Sequence, residues 1–222
     1  FERCVADIIA KEGTVIRVPS LDKQEWHLAM LRSGRGENER AVWLDYDTGG
    51  RHGHADFMNI GLFAKGLDLM PDLGYPPVQY GGWNTPQAHW YKKSAAHNTV
   101  VIDGQDQPLF VTGPRIKEIQ GGRTTLWGLG GMLKVVRVSG PDVVKASRFE
   151  RTLSLVDISE TDSYVVDVFR VAGGSDHARF MNCNFGAITT TGLTLRPQPD
   201  YGFETLMRSF HGDPEARPGW QA

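Results

Sequence analysis

Residues 164–171 read YVVDVFRV and residues 134–138 read KVVRV. In both, polar and apolar residues trade places along the run, the period-two pattern of a strand with one face on a core. Neighbouring runs have the same character: TTLWGLGG (124–131), VVKASRFERTLSLVD (143–157) and HARFMNCNFG (177–186). Turn residues recur roughly every ten positions between them, as in large antiparallel sandwiches. The 26 glycines and 12 prolines are dispersed rather than periodic, which excludes a low-complexity chain. The expected fold class is all-β, a large antiparallel β-sandwich, with residues 1–222 as a single domain.

The amino-terminal part fits that class. WHLAMLRSG (26–34) and RAVWLDYD (40–47) read as two strands around the exposed loop GRGENE (34–39), and TVIRVP (14–19) as another. Val5, Ile8 and Ile9 recur at helical spacing, so residues 1–13 are expected to form a short helix. FMNIGLFA (57–64) is readable as helix or strand; its large apolar residues, broken by a glycine, favour a strand. TVVIDG (99–104) reads as a strand ending in an Asp-Gly turn, and RIKEIQ (115–120) as a further strand. Residues 188–222 are polar and proline-containing, and loops or an incomplete last part of the fold are expected there.

Composition excludes several classes of function. With a net charge of −2 and a pI near 6.4, the whole chain exerts no electrostatic pull on nucleic acid. No apolar run approaches membrane-spanning length. Cys4 and Cys183 do not make a disulfide framework. The opening FERCVADIIAKEG has neither an initiator methionine nor a basic-then-apolar leader, so a processed chain or a fragment is expected.

Chemistry concentrates between Asp45 and Gly104, which holds four of the seven histidines and four of the six tyrosines. If His52-Gly53-His54 is extended, both imidazoles project to one face with Asp56 beside them. Neutral imidazole suits zinc. Asp72 lies among apolar neighbours, where a free carboxylate is costly. With His54 and His97 it makes a three-ligand set; the alternative is that Asp72 caps a turn and His97 makes a structural hydrogen bond. His89, Trp90 and Tyr91 adjoin Lys92 and Lys93. Rings stack on sugar faces and cations meet carboxylates or sulfates, so this stretch suits an acidic carbohydrate; the alternative is ordinary packing of a compact surface loop.

RHGHADFMNIGLFAKG (51–66), MPDLGY (70–75), YGGW (80–83) and HNTVVIDGQDQ (97–107) together resemble the heparinase II/III-like proteins, which are bacterial polysaccharide lyases. YVVDVFRVAGG (164–174) resembles a strand of the same domain, and the likeness covers roughly residues 25–180. The resemblance implies an amino-terminal α/α toroid joined to a supersandwich-like β domain, with the cleft between them. It implies cleavage of a uronic-acid-containing polysaccharide, such as a glycosaminoglycan or alginate, by β-elimination. It places a structural zinc on His54, Asp72 and His97, and the cleft histidine at His52. Tyr80 or Tyr91 takes the cleft tyrosine position. Arg51, His89, Trp90 and Lys92 are the expected substrate-binding residues. It also implies a periplasmic or secreted location. This chain has no candidate for the toroid, so only the sandwich half is expected here. Two further readings are a non-catalytic carbohydrate-binding sandwich and a cupin-like metal enzyme; the latter needs a glutamate ligand shortly after the histidines, and no convincing one follows.

Overall fold

The computed structural model describes residues 1–14, 18–48, 53–74, 86–109, 120–183 and 191–194. The sequence's helix is present as α1 (Glu2–Glu12), closed by Gly13 at φ 83 and exposed over residues 2–11. Everything else of consequence is built on antiparallel strands.

Five strands form the first sheet in chain order: β1 (Leu21–Lys23), β2 (Leu28–Ser33), β3 (Arg40–Asp45), β4 (Asn59–Ala64) and β5 (Leu67–Met70). FMNIGLFA therefore resolves in favour of the strand. Trp43 lies opposite Gly61, and a Cβ built on Gly61 would meet the indole at 2.2 Å. The glycine that interrupts the apolar run is the seat of a cross-strand tryptophan.

The second sheet runs β10 (Ser163–Ala172), β9 (Arg148–Asp157), β8 (Leu133–Ser139), β7 (Arg123–Leu129). β9 and β10 pair along all ten residues, from Ser163 opposite Asp157 to Ala172 opposite Arg148. A two-stranded ribbon joins β6 (Val100–Ile102) to β11 (His177–Arg179). β11 uses only the first three residues of HARFMNCNFG. Asp103 at φ 53 and Gly104 at φ 66 make the expected Asp-Gly turn after β6. TVIRVP and RIKEIQ fall partly or almost wholly outside the described residues, as does the tail apart from 191–194.

The two large sheets bury their facing rows together. Ala29 and Leu31 of β2, Val42 and Leu44 of β3 and Ile60 of β4 meet Val136 and Val138 of β8 and Phe149, Leu153 and Leu155 of β9. Phe57 stacks on Phe149 at 5.6 Å between ring centres, and Phe169 meets Phe149 edge-on at 4.8 Å. At one end, buried Arg40 donates to Asp157 at 2.8 Å, and Ser33 donates to the same carboxylate at 2.6 Å. That ion pair bridges the sheets. Cys4 and Cys183 are free thiols, both exposed.

Candidate metal centre

Three connections between strands converge to form the site. The first, residues 46–58, joins β3 to β4, and its residues 53–58 enter the site. The second follows β5 and carries Asp72. The third runs from the short helix α2 (Pro86–Tyr91) through a 3-10 turn at Ser94–Ala96 to His97, just before β6. The amide of Ala55 donates to the carbonyl of Lys92 at 3.0 Å, which holds the first connection against the third.

His54, Asp56 and His97 are buried, and each offers a donor atom within 4.8 Å of the other two. The His54 and His97 rings lie 5.3 Å apart. Gly53 has φ 70, so the backbone turns left-handed there. This corrects the extended reading of His52-Gly53-His54: simple alternation does not carry through that glycine. Asp56 nonetheless reaches the same point as His54. Asp72 stands next to the group, in contact with His97 Nδ1 and near enough for the charge of His54 to act on it.

The hydrogen bonds of His97 define its state. Nε2 lies 2.8 Å from the Tyr91 carbonyl oxygen, which can only accept, so Nε2 carries a proton. Nδ1 lies 2.9 Å from Asp72 Oδ1. Two lone-pair atoms at that distance need a cation between them, either a second proton or a metal ion. Asn59 donates to the same Asp72 oxygen at 3.1 Å and accepts from the Asn98 amide at 2.8 Å. Asn98 in turn donates to the Ile60 carbonyl at 2.9 Å. Gln107 donates to Phe57 O, Thr99 Oγ1 and Val100 O, which locks the floor of the site to β6.

The electrostatics of the group favour a cation. Burial, with the charges of Asp45, Asp47 and Asp72 adding to it, pushes the Asp56 carboxyl well above the usual range. Burial and the charges of Asp47 and Asp72 push Asp45 up to about 7. For Asp72 burial is the largest effect and acts upward. The bond from His97, the charges of His97 and His54 and the bond from Asn59 outweigh it, and Asp72 falls below the ordinary value. Asp56 Oδ1 is buried with no hydrogen-bond partner. An orphaned carboxylate oxygen beside two imidazoles, amid mutually repelling carboxylates, is a donor set that zinc fits. His54, Asp56, Asp72 and His97 through Nδ1 could hold the ion, with the Tyr91 carbonyl orienting the His97 ring from its other nitrogen.

The other expected site residues are less gathered. Arg51, His52 and Tyr80 lie outside the described residues. Of the stretch expected as a loop, His89, Trp90 and Tyr91 end the short helix α2 and Lys92 and Lys93 follow it; His89 is exposed, while Trp90, Tyr91 and Lys92 are half-buried. Tyr91 enters the site through its backbone carbonyl, and burial raises its phenol above the usual value. Asn59, Asn98 and Gln107 were not singled out from sequence. Their signal was polar side chains within otherwise apolar strand motifs.

The chain resembles known proteins in both sequence and fold. The Heparinase II/III-like, C-terminal family pattern matches residues 41–197. An exo-oligoalginate lyase of Saccharophagus degradans is 34% identical over 91 residues, which are 38% of this chain and 12% of that protein. The fold superposes on a heparinase III structure with a TM-score of 0.60 at 18% identity, covering 83% of this chain and 28% of that one. It superposes on the heparan sulfate lyase of Pedobacter heparinus with a TM-score of 0.51 at 20% identity, covering 72% and 24%. The chain thus spans about an eighth to a quarter of the length of these relatives. By the family match, and with the antiparallel sandwich that accompanies it, this chain belongs to the heparinase II/III-like family and corresponds to its C-terminal domain.

Proposed function

We propose that this chain is the β-sandwich of a polysaccharide lyase that cleaves a uronic-acid-containing polysaccharide by β-elimination, with a structural zinc ion held by His54, His97, Asp72 and Asp56. The observation that carries the proposal is the His97 ring, whose Nε2 proton is committed to the Tyr91 carbonyl while Nδ1 faces a carboxylate oxygen at 2.9 Å. The relatives' names, an alginate lyase, a heparan sulfate lyase and a heparinase III, support an acidic polysaccharide as the substrate class. Zinc, when bound, would supply the positive charge that the buried carboxylates lack. The burial of His54 and His97 favours a structural role for these residues over contact with a sugar.

Elimination begins at a weakly acidic C–H next to a carboxylate. Neutralising that carboxylate makes the developing charge tolerable. A base takes the proton, and its electron pair becomes the new carbon–carbon double bond. The bond to the glycosidic oxygen breaks, and an acid protonates that oxygen. In this proposal His52 and either Tyr80 or Tyr91 carry the proton transfers. Burial keeps the Tyr91 phenol protonated at neutral pH, as the acid's role requires. Arg51 and Lys92 meet carboxylates or sulfates of the chain, and His89 and Trp90 line the sugar faces. An α/α toroid completes the cleft, and the protein works in the periplasm or outside the cell.

The test has two arms. Metal analysis of the purified chain is expected to give one zinc per molecule, lost in His54→Ala. Heparan sulfate and alginate, incubated with the chain joined to a family toroid, are expected to yield the ultraviolet absorbance of an unsaturated uronate, and the chain alone, with half a cleft, is expected to yield little or none. His52→Ala is expected to abolish that absorbance without unfolding the domain. Glycan binding with no unsaturated product from either form would overturn the lyase assignment in favour of a binding module.

A further inference from the structure

Arg151 is the most deeply committed charge in the described residues. It occupies an inward position of β9, between Phe149 and Leu153, and is wholly buried. Its Nε and Nη2 fork onto Asp167 of β10 at 3.0 and 2.5 Å, and the guanidinium lies over the Phe169 ring at 4.9 Å. Its Nη1 donates to the carbonyl of Met58 at 2.5 Å and to the carbonyl of Asn98. Asp167 is shared with Arg179 of β11, the partner strand of β6.

The two carbonyls tie this arginine to the site. Met58 follows Asp56 by two residues, and Asn98 follows His97 directly. Met58 is held at φ 60, a left-handed conformation that a side-chain-bearing residue adopts only when its surroundings impose it. A single nitrogen of Arg151 therefore gathers the two connections that carry the donor group.

Stability alone is a weak reason to keep such a group, because well-packed apolar residues often replace a buried ion pair at no loss. We propose that Arg151, oriented by Asp167, is a positioning residue that sets the separation of the His54–Asp56 and His97 segments. The inference rests on reading that group as the metal centre of the proposed lyase.

The experiment compares Arg151→Met and Arg151→Lys with a control of similar burial, Arg40→Met, whose ion pair with Asp157 bridges the sheets at the other end. Two measurements are made on the folded chain. One is the affinity and visible spectrum of bound Co(II). The other is amide exchange at Asn59, Asn98 and Thr99. Arg151→Met is expected to weaken Co(II) at least about 10-fold, the scale seen for groups that orient metal ligands. It is expected to shift the absorption bands and to speed exchange at those three amides. Arg151→Lys is expected to recover part of each effect. Arg40→Met is expected to lower the thermal midpoint while leaving Co(II) affinity and bands at the wild-type values.

Equal loss of Co(II) in Arg40→Met, or wild-type affinity in Arg151→Met, would overturn the inference. Should the wild-type chain take no Co(II), the metal reading fails by itself and the exchange measurement decides. Selective loss of protection in Arg151→Met then upholds positioning, and uniform loss refutes it. Should Arg151→Met not fold, Asp167→Asn replaces it with the same expectations.

Discussion

His97 shows how much one side chain can constrain a site. The Tyr91 carbonyl dictates which nitrogen carries the proton, and the other nitrogen is left facing Asp72. Asn59 spans the same point, bonding Asp72 with its amide nitrogen and the Asn98 amide with its oxygen. Asn59→Ala leaves the buried Asn98 N–H without a partner, and about 1–3 kcal/mol of stability is expected to be lost, measured by urea unfolding. The pH dependence follows from Asp45, which titrates at about 7 in the folded chain against 3.8 ordinarily. A carboxyl raised on folding binds its proton more tightly in the native state. Its contribution is therefore complete below the unfolded value and is lost as pH rises through the folded one. The metal-free chain is expected to show a falling thermal midpoint from about pH 4 to about pH 7, and Asp45→Asn is expected to reduce that slope, with Asp56, also raised on folding, supplying the remainder. A midpoint rising across the window would refute the shift. Asp72, lowered on folding, acts the other way and only below its ordinary value.

Among the elements, β3 and β4 depend on one another through Trp43 and Gly61. A Cβ at position 61 has no room beside the indole. Gly61→Val is expected to cost about 1–3 kcal/mol by overpacking, read as a lower denaturant midpoint. The double variant with Trp43→Leu is expected to lose less than the sum, because the two residues share one space. Additivity would show that the glycine matters for its backbone alone. The short helix α2 is the other informative element. Its aromatic and basic residues read as a loop from sequence because six residues are too few to show helical periodicity.

For the molecule as a whole, the proposed metal would couple binding to folding. A cation that binds the native arrangement and not the unfolded chain adds RT ln(1 + [L]/Kd), about 2.7 kcal/mol at one hundred times Kd. Chelation is expected to lower the thermal midpoint, and restored zinc to return it. The same treatment of His54→Ala is expected to change nothing. A chelator effect that survives in that variant would place the ion elsewhere.

The sequence alone determined the class of the fold and the family to which the chain belongs. Alternation in YVVDVFRV and KVVRV is a property of neighbours two apart, so the strands were legible without coordinates. So was the family likeness, because its motifs are contiguous. Even the buried pair had a local sign: Arg151 sits in the inward phase of RFERTLSLV, and Asp167 in the inward phase of YVVDVFRV. That two opposite charges on apolar faces meant one clamp depends on β9 and β10 being partners, and its reach to Met58 and Asn98 on the two sheets being stacked. Tertiary structure likewise placed Asp56 with His54 and His97, turned the chain at Gly53, and gave Tyr91 its role through a carbonyl. Distances between segments far apart in the chain follow from strand pairing and sheet packing, and no local pattern encodes them.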